Sequence, residues 1–146
     1  MLILVWSSPA FALNTKDLIG LWKPLDASSP EGRAQGGVMF RADGTGTFFD
    51  APWDASKNSE ILRLLLPENA NLSDLGFYFS YTAENELITT RITRARGIAV
   101  QSNPVHWKAT LKDETLRMEV TSGDGRWIEF GLVARPAFPA VWPPLN

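Results

Sequence analysis

The sequence predicts an all-β domain, an eight-stranded antiparallel up-and-down β-barrel with one short helix between strands. Three observations carry that prediction. From residue 75 to residue 134 apolar and polar residues alternate at period two, the pattern of strands with one covered and one wet face. Turn chemistry cuts the alternation at short intervals, at Glu84-Asn85-Glu86, at Asp113-Glu114 and at Gly123-Asp124-Gly125, so successive strands are joined by tight hairpins. About eight such strands, each with one oily face, hide it and lose their free edges by closing into a cylinder. A two-sheet sandwich needs longer crossing connections, which only the segments before Val38 and before Leu75 offer.

Composition is consistent with one domain and excludes several function classes. A chain of 146 residues, 45% hydrophobic, can bury a core without covalent staples. Fourteen basic against sixteen acidic residues give a net charge of −2, so no field steers the protein onto nucleic acid. The absence of cysteine removes disulfides, thiolate metal sites and cysteine nucleophiles.

Residues 1–12 read as a signal peptide. An apolar run is followed by Ser7-Ser8-Pro9 and ends in Ala10-Phe11-Ala12, the small-x-small pattern that precedes a signal-peptidase cut. The basic segment that normally opens such a peptide is missing, which points to translation beginning upstream; a buried N-terminal strand is the alternative. A periplasmic or secreted bacterial protein is the expectation. No later run approaches the ~20 apolar residues of a spanning helix. The charges Lys108, Lys112, Arg117 and Glu119 on the outer strand faces speak against an outer-membrane barrel, so no membrane insertion is expected.

The barrel domain spans residues 13–135. Asn14 or Thr15 can cap a helical turn through Leu18, and Gly20-Leu21-Trp22-Lys23 begins the first strand, which Pro24 should end. Residues 25–36, rich in Ser, Pro, Gly and Ala, form a loop. Val38 to Arg41 and Thr45 to Phe49 flank Asp43-Gly44, which predicts a hairpin with a type I′ turn. Residues 59–66 fit either a short capped helix ended by Pro67 or a buried strand. Leu and Arg favour helix and no β-branched cluster supports a strand, so two helical turns are expected.

The meander follows, with a short extra strand near residues 97–101. On the next strand Val105, Trp107, Ala109 and Leu111 face one way and His106, Lys108, Thr110 and Lys112 the other. Residues 136–146 hold Pro136, Pro139, Pro143 and Pro144 and should lie extended over the surface, where they could engage a protein partner.

Gly20-Leu21-Trp22, after a capped turn and on the first strand of an eight-strand meander, resembles the lipocalins, and more closely the short bacterial lipocalin-like proteins of the calycin group. The resemblance implies that Gly20 lets the strand follow the turn closely and that the Trp22 ring plugs the closed end. It also implies a basic side chain from the last strand stacked on that ring, here Arg135 or else Arg126. The implied activity is non-covalent binding of a small apolar or amphipathic molecule in the interior. Alternation puts Met39, Phe77, Phe79, Tyr81, Trp107, Met118 and Phe130 there as candidate ligand contacts. In a small barrel such side chains fill the space, and in a wider one they line a pocket; the sequence leaves both open. An envelope interaction module with a filled barrel is the alternative function.

Nothing in the sequence composes a catalytic constellation. His106 is the single histidine and has no metal-ligating neighbours in sequence. Asp50 and Asp54 flank Pro52-Trp53 and are the spacing of a solvated loop more than of a calcium site. Neither a serine elbow nor a phosphate loop is present. A cofactor-free, non-catalytic protein is expected. Arg91, Arg94 and Arg96 form the basic cluster; they either guard a sheet edge or hold a ligand carboxylate at the mouth.

Overall fold

The computed structural model describes residues 15–28, 36–65, 76–121 and 125–135. One helical turn, α1 (Thr15–Leu18), precedes β1 (Gly20–Ala27), and β2 (Val38–Phe40) and β3 (Thr45–Phe49) follow. A helical segment then runs through a 3₁₀ turn (Ala55–Lys57), α2 (Asn58–Leu62) and a second 3₁₀ turn (Arg63–Leu65). The rest is β4 (Gly76–Glu84), β5 (Leu87–Ala95), the two-residue β6 (Ile98–Ala99), β7 (Val105–Lys112), β8 (Thr115–Val120) and β9 (Trp127–Ala134).

Every pairing is antiparallel, and the ring closes: β1 pairs with both β2 and β9, β3 with β4, and β4 with β5. The chain is a closed eight-strand antiparallel barrel, with β6 an appendage on the flank of β5. The predicted helix lies between β3 and β4. Residues 1–12 and 136–146, which carry the expected leader and the Pro-rich tail, lie outside the described residues.

Two local expectations are corrected. Pro24 does not end the first strand: β1 continues to Ala27, Pro24 opposite Phe130 of β9. The pairing of β1 with β2 stops at Trp22, so the missing N–H of Pro24 costs no ladder bond on that side. At the β2–β3 turn only Gly44 has a positive φ, 87°. The Gly44 N–H donates to the Arg41 carbonyl at 3.3 Å and the Arg41 N–H to the Thr45 carbonyl at 2.7 Å. A type I turn followed by a left-handed glycine results, not type I′. The primed geometry instead occurs where φ is positive at both central residues, at Asp113 (52°) with Glu114 (64°) and at Arg96 (51°) with Gly97 (83°).

Two apolar layers hold the barrel. The interior is built from Trp22, Val38, Phe40, Phe79, Tyr81, Ile88, Ala109, Leu116, Met118, Ile128 and Phe130. A second cluster, Leu21, Met39, Phe49, Leu64 and Leu65, lies on the other face of β1, β2 and β3, because adjacent residues on a strand point to opposite sides. The helical segment therefore packs against the outer wall and covers it; it does not cap the mouth.

Candidate functional site

The end of the barrel where β1 begins is closed. Trp22 is fully buried, and its Nε1 donates to the Leu18 carbonyl at 2.8 Å, tying α1 to the plug. Gly20 has φ +151°, and a Cβ there would stand 2.6 Å from the Ala134 carbonyl oxygen, so only glycine lets β1 turn so closely against β9. Arg135 donates from Nη2 to the Asp17 carbonyl at 2.7 Å and holds its guanidinium 5.8 Å from the centre of the Trp22 ring. The alternative stacking partner, Arg126, lies at the opposite end, beside the start of β9.

Behind the plug the interior is filled. Phe40 packs edge-on against Phe79 (5.7 Å between centroids) and Tyr81 (4.9 Å). Tyr81 donates its hydroxyl to the Arg41 carbonyl at 2.7 Å, and burial raises its phenol above the ordinary value. Phe79, Met118 and Phe130 are fully buried among these groups.

Of the residues expected inside, one is on the outer wall and one is at the rim. Met39 is buried in the outer cluster, under the helical segment, because Val38 and Phe40 take the inward positions of β2. Phe77 is 37% exposed at the start of β4 and lies outside the interior cluster. The extra residue in the β4–β5 ladder, Thr93, is on β5, and β4 keeps its alternation. Phe77 has the parity of Phe79 and Tyr81 and stands opposite Phe48 of β3 in a ladder without a shift, but at the start of the strand, where the wall ends and leaves the ring uncovered.

The other end keeps open space. A recess of about 140 Å³ lies where β1 and β8 stop and β7 and β9 start. Val105 and Trp107 of β7, Val120 of β8 and Ile128 of β9 line it, with Ser28, Arg126 and Trp127 at its edge. Trp107 alone of the predicted contacts reaches this space. Its Nε1 donates to Thr90 Oγ1 at 3.0 Å, which fixes the ring, and Phe48 lies 6.5 Å behind it. Trp127 is fixed as well, under the Arg117 guanidinium at 4.1 Å, and Arg117 reaches Glu129 at 3.2 Å. A dry apolar cavity of about 150 Å³ admits benzene, so the recess accommodates a single ring or a short branched chain end.

The remaining candidates have local partners. His106 is exposed, with Nδ1 3.0 Å from Thr89 Oγ1. Asp54 caps the first 3₁₀ turn, and the Ser56 hydroxyl and N–H that it accepts lower its carboxyl pKa. Asp50 pairs with Arg96 at 2.6 Å, and Arg91 donates to the Ser102 carbonyl at 3.1 Å. The three arginines are not gathered into one anion site. Among the described residues no group of three His, Asp or Glu side chains converges on a metal position.

Sequence reasoning missed the covered outer wall and its buried cation. Arg41 is fully buried: Nε donates to the Leu64 carbonyl at 2.5 Å, Nη2 to Thr47 Oγ1 at 2.7 Å, and the guanidinium lies 5.5 Å from the Tyr78 ring centre. Among the described residues Nη1 has no hydrogen-bond partner, and burial lowers the Arg41 pKa. The covered wall had a signal in the unbroken apolar run Val38-Met39-Phe40, which marks a strand covered on both faces; the buried cation had none.

The architecture is compatible with the calycin group of eight-strand barrels. No protein-family model matches the chain, and neither a curated protein nor a solved structure matches it.

Proposed function

We propose that the chain is an exported lipocalin-like binding protein that holds a small apolar or amphipathic molecule without catalysing a reaction. The observation that carries this reading is the apolar recess at the mouth, with two indoles, Trp107 and Trp127, held in place at its wall and edge. Fixed rings bind without a large ordering cost. The bound part is the tip of the ligand, a ring or branched chain end, because Phe79, Tyr81, Met118 and Phe130 occupy the space below. Gly20, Trp22 and Arg135 close the far end and touch no ligand. The Ala10-Phe11-Ala12 pattern supports export.

Native mass spectrometry of the purified protein and displacement of a fluorescent fatty-acid probe test the binding. One bound equivalent is expected, and Val120→Trp, which fills the recess, should weaken it about tenfold. No ligand and no displacement would refute the reading. Export is tested separately: the protein from the periplasmic or culture fraction should begin at Leu13, and a cytosolic chain that keeps Met1 removes that part.

An interaction module is favoured by a different observation. Ile98 (69% exposed), Val100, Val105 and Phe77 expose apolar side chains on and around β6, whose outer edge pairs with no strand among the described residues, a surface suited to strand addition or docking. A pull-down partner lost with Ile98→Lys would support it.

A further inference from the structure

Outside the barrel, between the helical segment and the wall, lies a groove of about 500 Å³. We infer that this groove is a second binding site, for an amphiphile without net charge. Its acyl or ring portion would lie on Phe49, Trp53, Ile61 and Leu64, and its polar head at the rim. The volume is within the range of small-molecule pockets and more than three times that of the mouth recess.

The apolar floor comes from two elements, Phe49 from the end of β3 and Ile61 with Leu64 from the helical segment, with Trp53 between them. The rim carries Asp54, Lys57, Glu60 and Arg63. Each acid stands three residues before a base, so signs alternate and cancel. A ligand with one net charge would gain nothing overall from this rim and would lose hydration on entering, whereas a head bearing dipoles or balanced charges finds donors and acceptors.

The groove is held open by structure already in place. Asp54 Oδ1 accepts from the Ser56 N–H at 3.0 Å and caps the turn that starts the helical wall. On the barrel side the Gly36 N–H donates to the Phe49 carbonyl at 3.2 Å and the Phe49 N–H to the Gly37 carbonyl at 3.1 Å. The Leu64 carbonyl is gripped by Arg41. A fully buried guanidinium with one nitrogen unpartnered among the described residues is a costly way to fasten a helix end, and here it fixes the residue that forms the groove floor.

Two probes with the same kind of ring system test the inference by fluorescence titration of the full chain: neutral N-phenyl-1-naphthylamine and anionic 1-anilinonaphthalene-8-sulfonate. The neutral probe should bind, and the sulfonate about tenfold more weakly. Ala51→Trp, at an exposed lining position, should lower affinity for the neutral probe about tenfold at unchanged melting temperature, and Val120→Trp in the mouth should not. Lys57→Trp on the same rim is the second filling variant, should the first fail to fold. The inference is overturned by no binding, by equal binding of both probes, or by loss on Val120→Trp without loss on Ala51→Trp. It is also overturned if deletion of residues 136–146 raises affinity about tenfold, since the groove then belongs to the chain's own uncharged tail.

Discussion

Replacing Trp22 by Phe asks whether one indole closes the barrel. The ring is fully buried, and its N–H is the donor that the Leu18 carbonyl receives from inside the barrel. Phenylalanine keeps an aromatic plug and removes that donor, at about 1–2 kcal/mol for a dry carbonyl left with one partner fewer. The ring atoms that are lost leave a void worth about 1–2 kcal/mol more. Together these predict a destabilisation of about 2–4 kcal/mol, a large share of the 5–15 kcal/mol typical of a domain. Trp22→Ala should cost about 3–5 kcal/mol.

Urea unfolding followed by far-ultraviolet circular dichroism is the assay, because the five other tryptophans blur a fluorescence signal. A double-mutant cycle with Arg135→Met isolates the stacking, with a coupling of about 0.5–1 kcal/mol expected for an exposed cation over a ring. If Trp22→Phe costs less than about 1 kcal/mol, the indole is a passenger and the plug lies elsewhere.

Tyr81 predicts an alkaline limit. Burial raises its phenol, while the unfolded chain releases that proton near pH ~10. Its stabilisation is therefore complete below pH ~10 and is lost as pH rises toward the folded value, at up to about 1.4 kcal/mol per pH unit. Tyr81→Phe should remove that slope from urea midpoints measured between pH 9 and 11. Glu114→Gly should raise stability by about 0.5–1 kcal/mol, because Glu114 holds φ at +64° in a two-residue turn; a lower urea midpoint would contradict the turn geometry. Leu65→Ala should cost about 2–4 kcal/mol and speed proteolytic cleavage within residues 55–65, since Leu65 is 4% exposed in the layer that pins the helical segment. Unchanged cleavage would place that segment off the wall.

Where a strand obeys simple alternation, its inward face was legible. Trp107, Ala109 and Leu111 of β7 and Leu116 and Met118 of β8 all belong to the interior cluster, and the ladder between them runs without a shift in register. Alternation is insufficient in two places for two physical reasons. On β2 both faces are covered, so Met39 is as apolar as Val38 and Phe40, and hydrophobicity cannot say which of the three points inward. On β4 parity holds through Phe77, which stands opposite Phe48, but parity does not show that the strand begins there and leaves the ring exposed at the rim.

The closed end was legible in part, since Gly20-Leu21-Trp22 is a local pattern. The buried Arg41 was not. An arginine at a strand end reads as solvated, whereas here the Leu64 carbonyl, the Thr47 hydroxyl and the Tyr78 ring, from three separate elements, meet around it.

The position of the open space follows from how the ring of strands is closed. β5 pairs with β7 only from Leu87 to Thr90, where Val105 begins. Beyond that point β5 turns to β6 instead, and the Ser102 hydroxyl takes the place of a neighbouring strand: it accepts from the Ile92 N–H at 3.0 Å and donates to the Ile92 carbonyl at 2.9 Å. The strands thus part at the end that holds Val105 and Trp107, while the opposite end is drawn tight by the Glu84-to-Leu87 and Lys112-to-Thr115 turns. An eight-strand barrel has room for little beyond its own side chains, and three phenylalanines, Tyr81 and Trp22 consume it. Space for another molecule therefore arises where strands diverge, at the mouth, or where a covering element stands off the wall, at the groove. Enlarging the first means moving residues 98–104, and enlarging the second means lifting the helical segment. Neither requires repacking the interior, so the size and lining of each space can change while the barrel stays as it is.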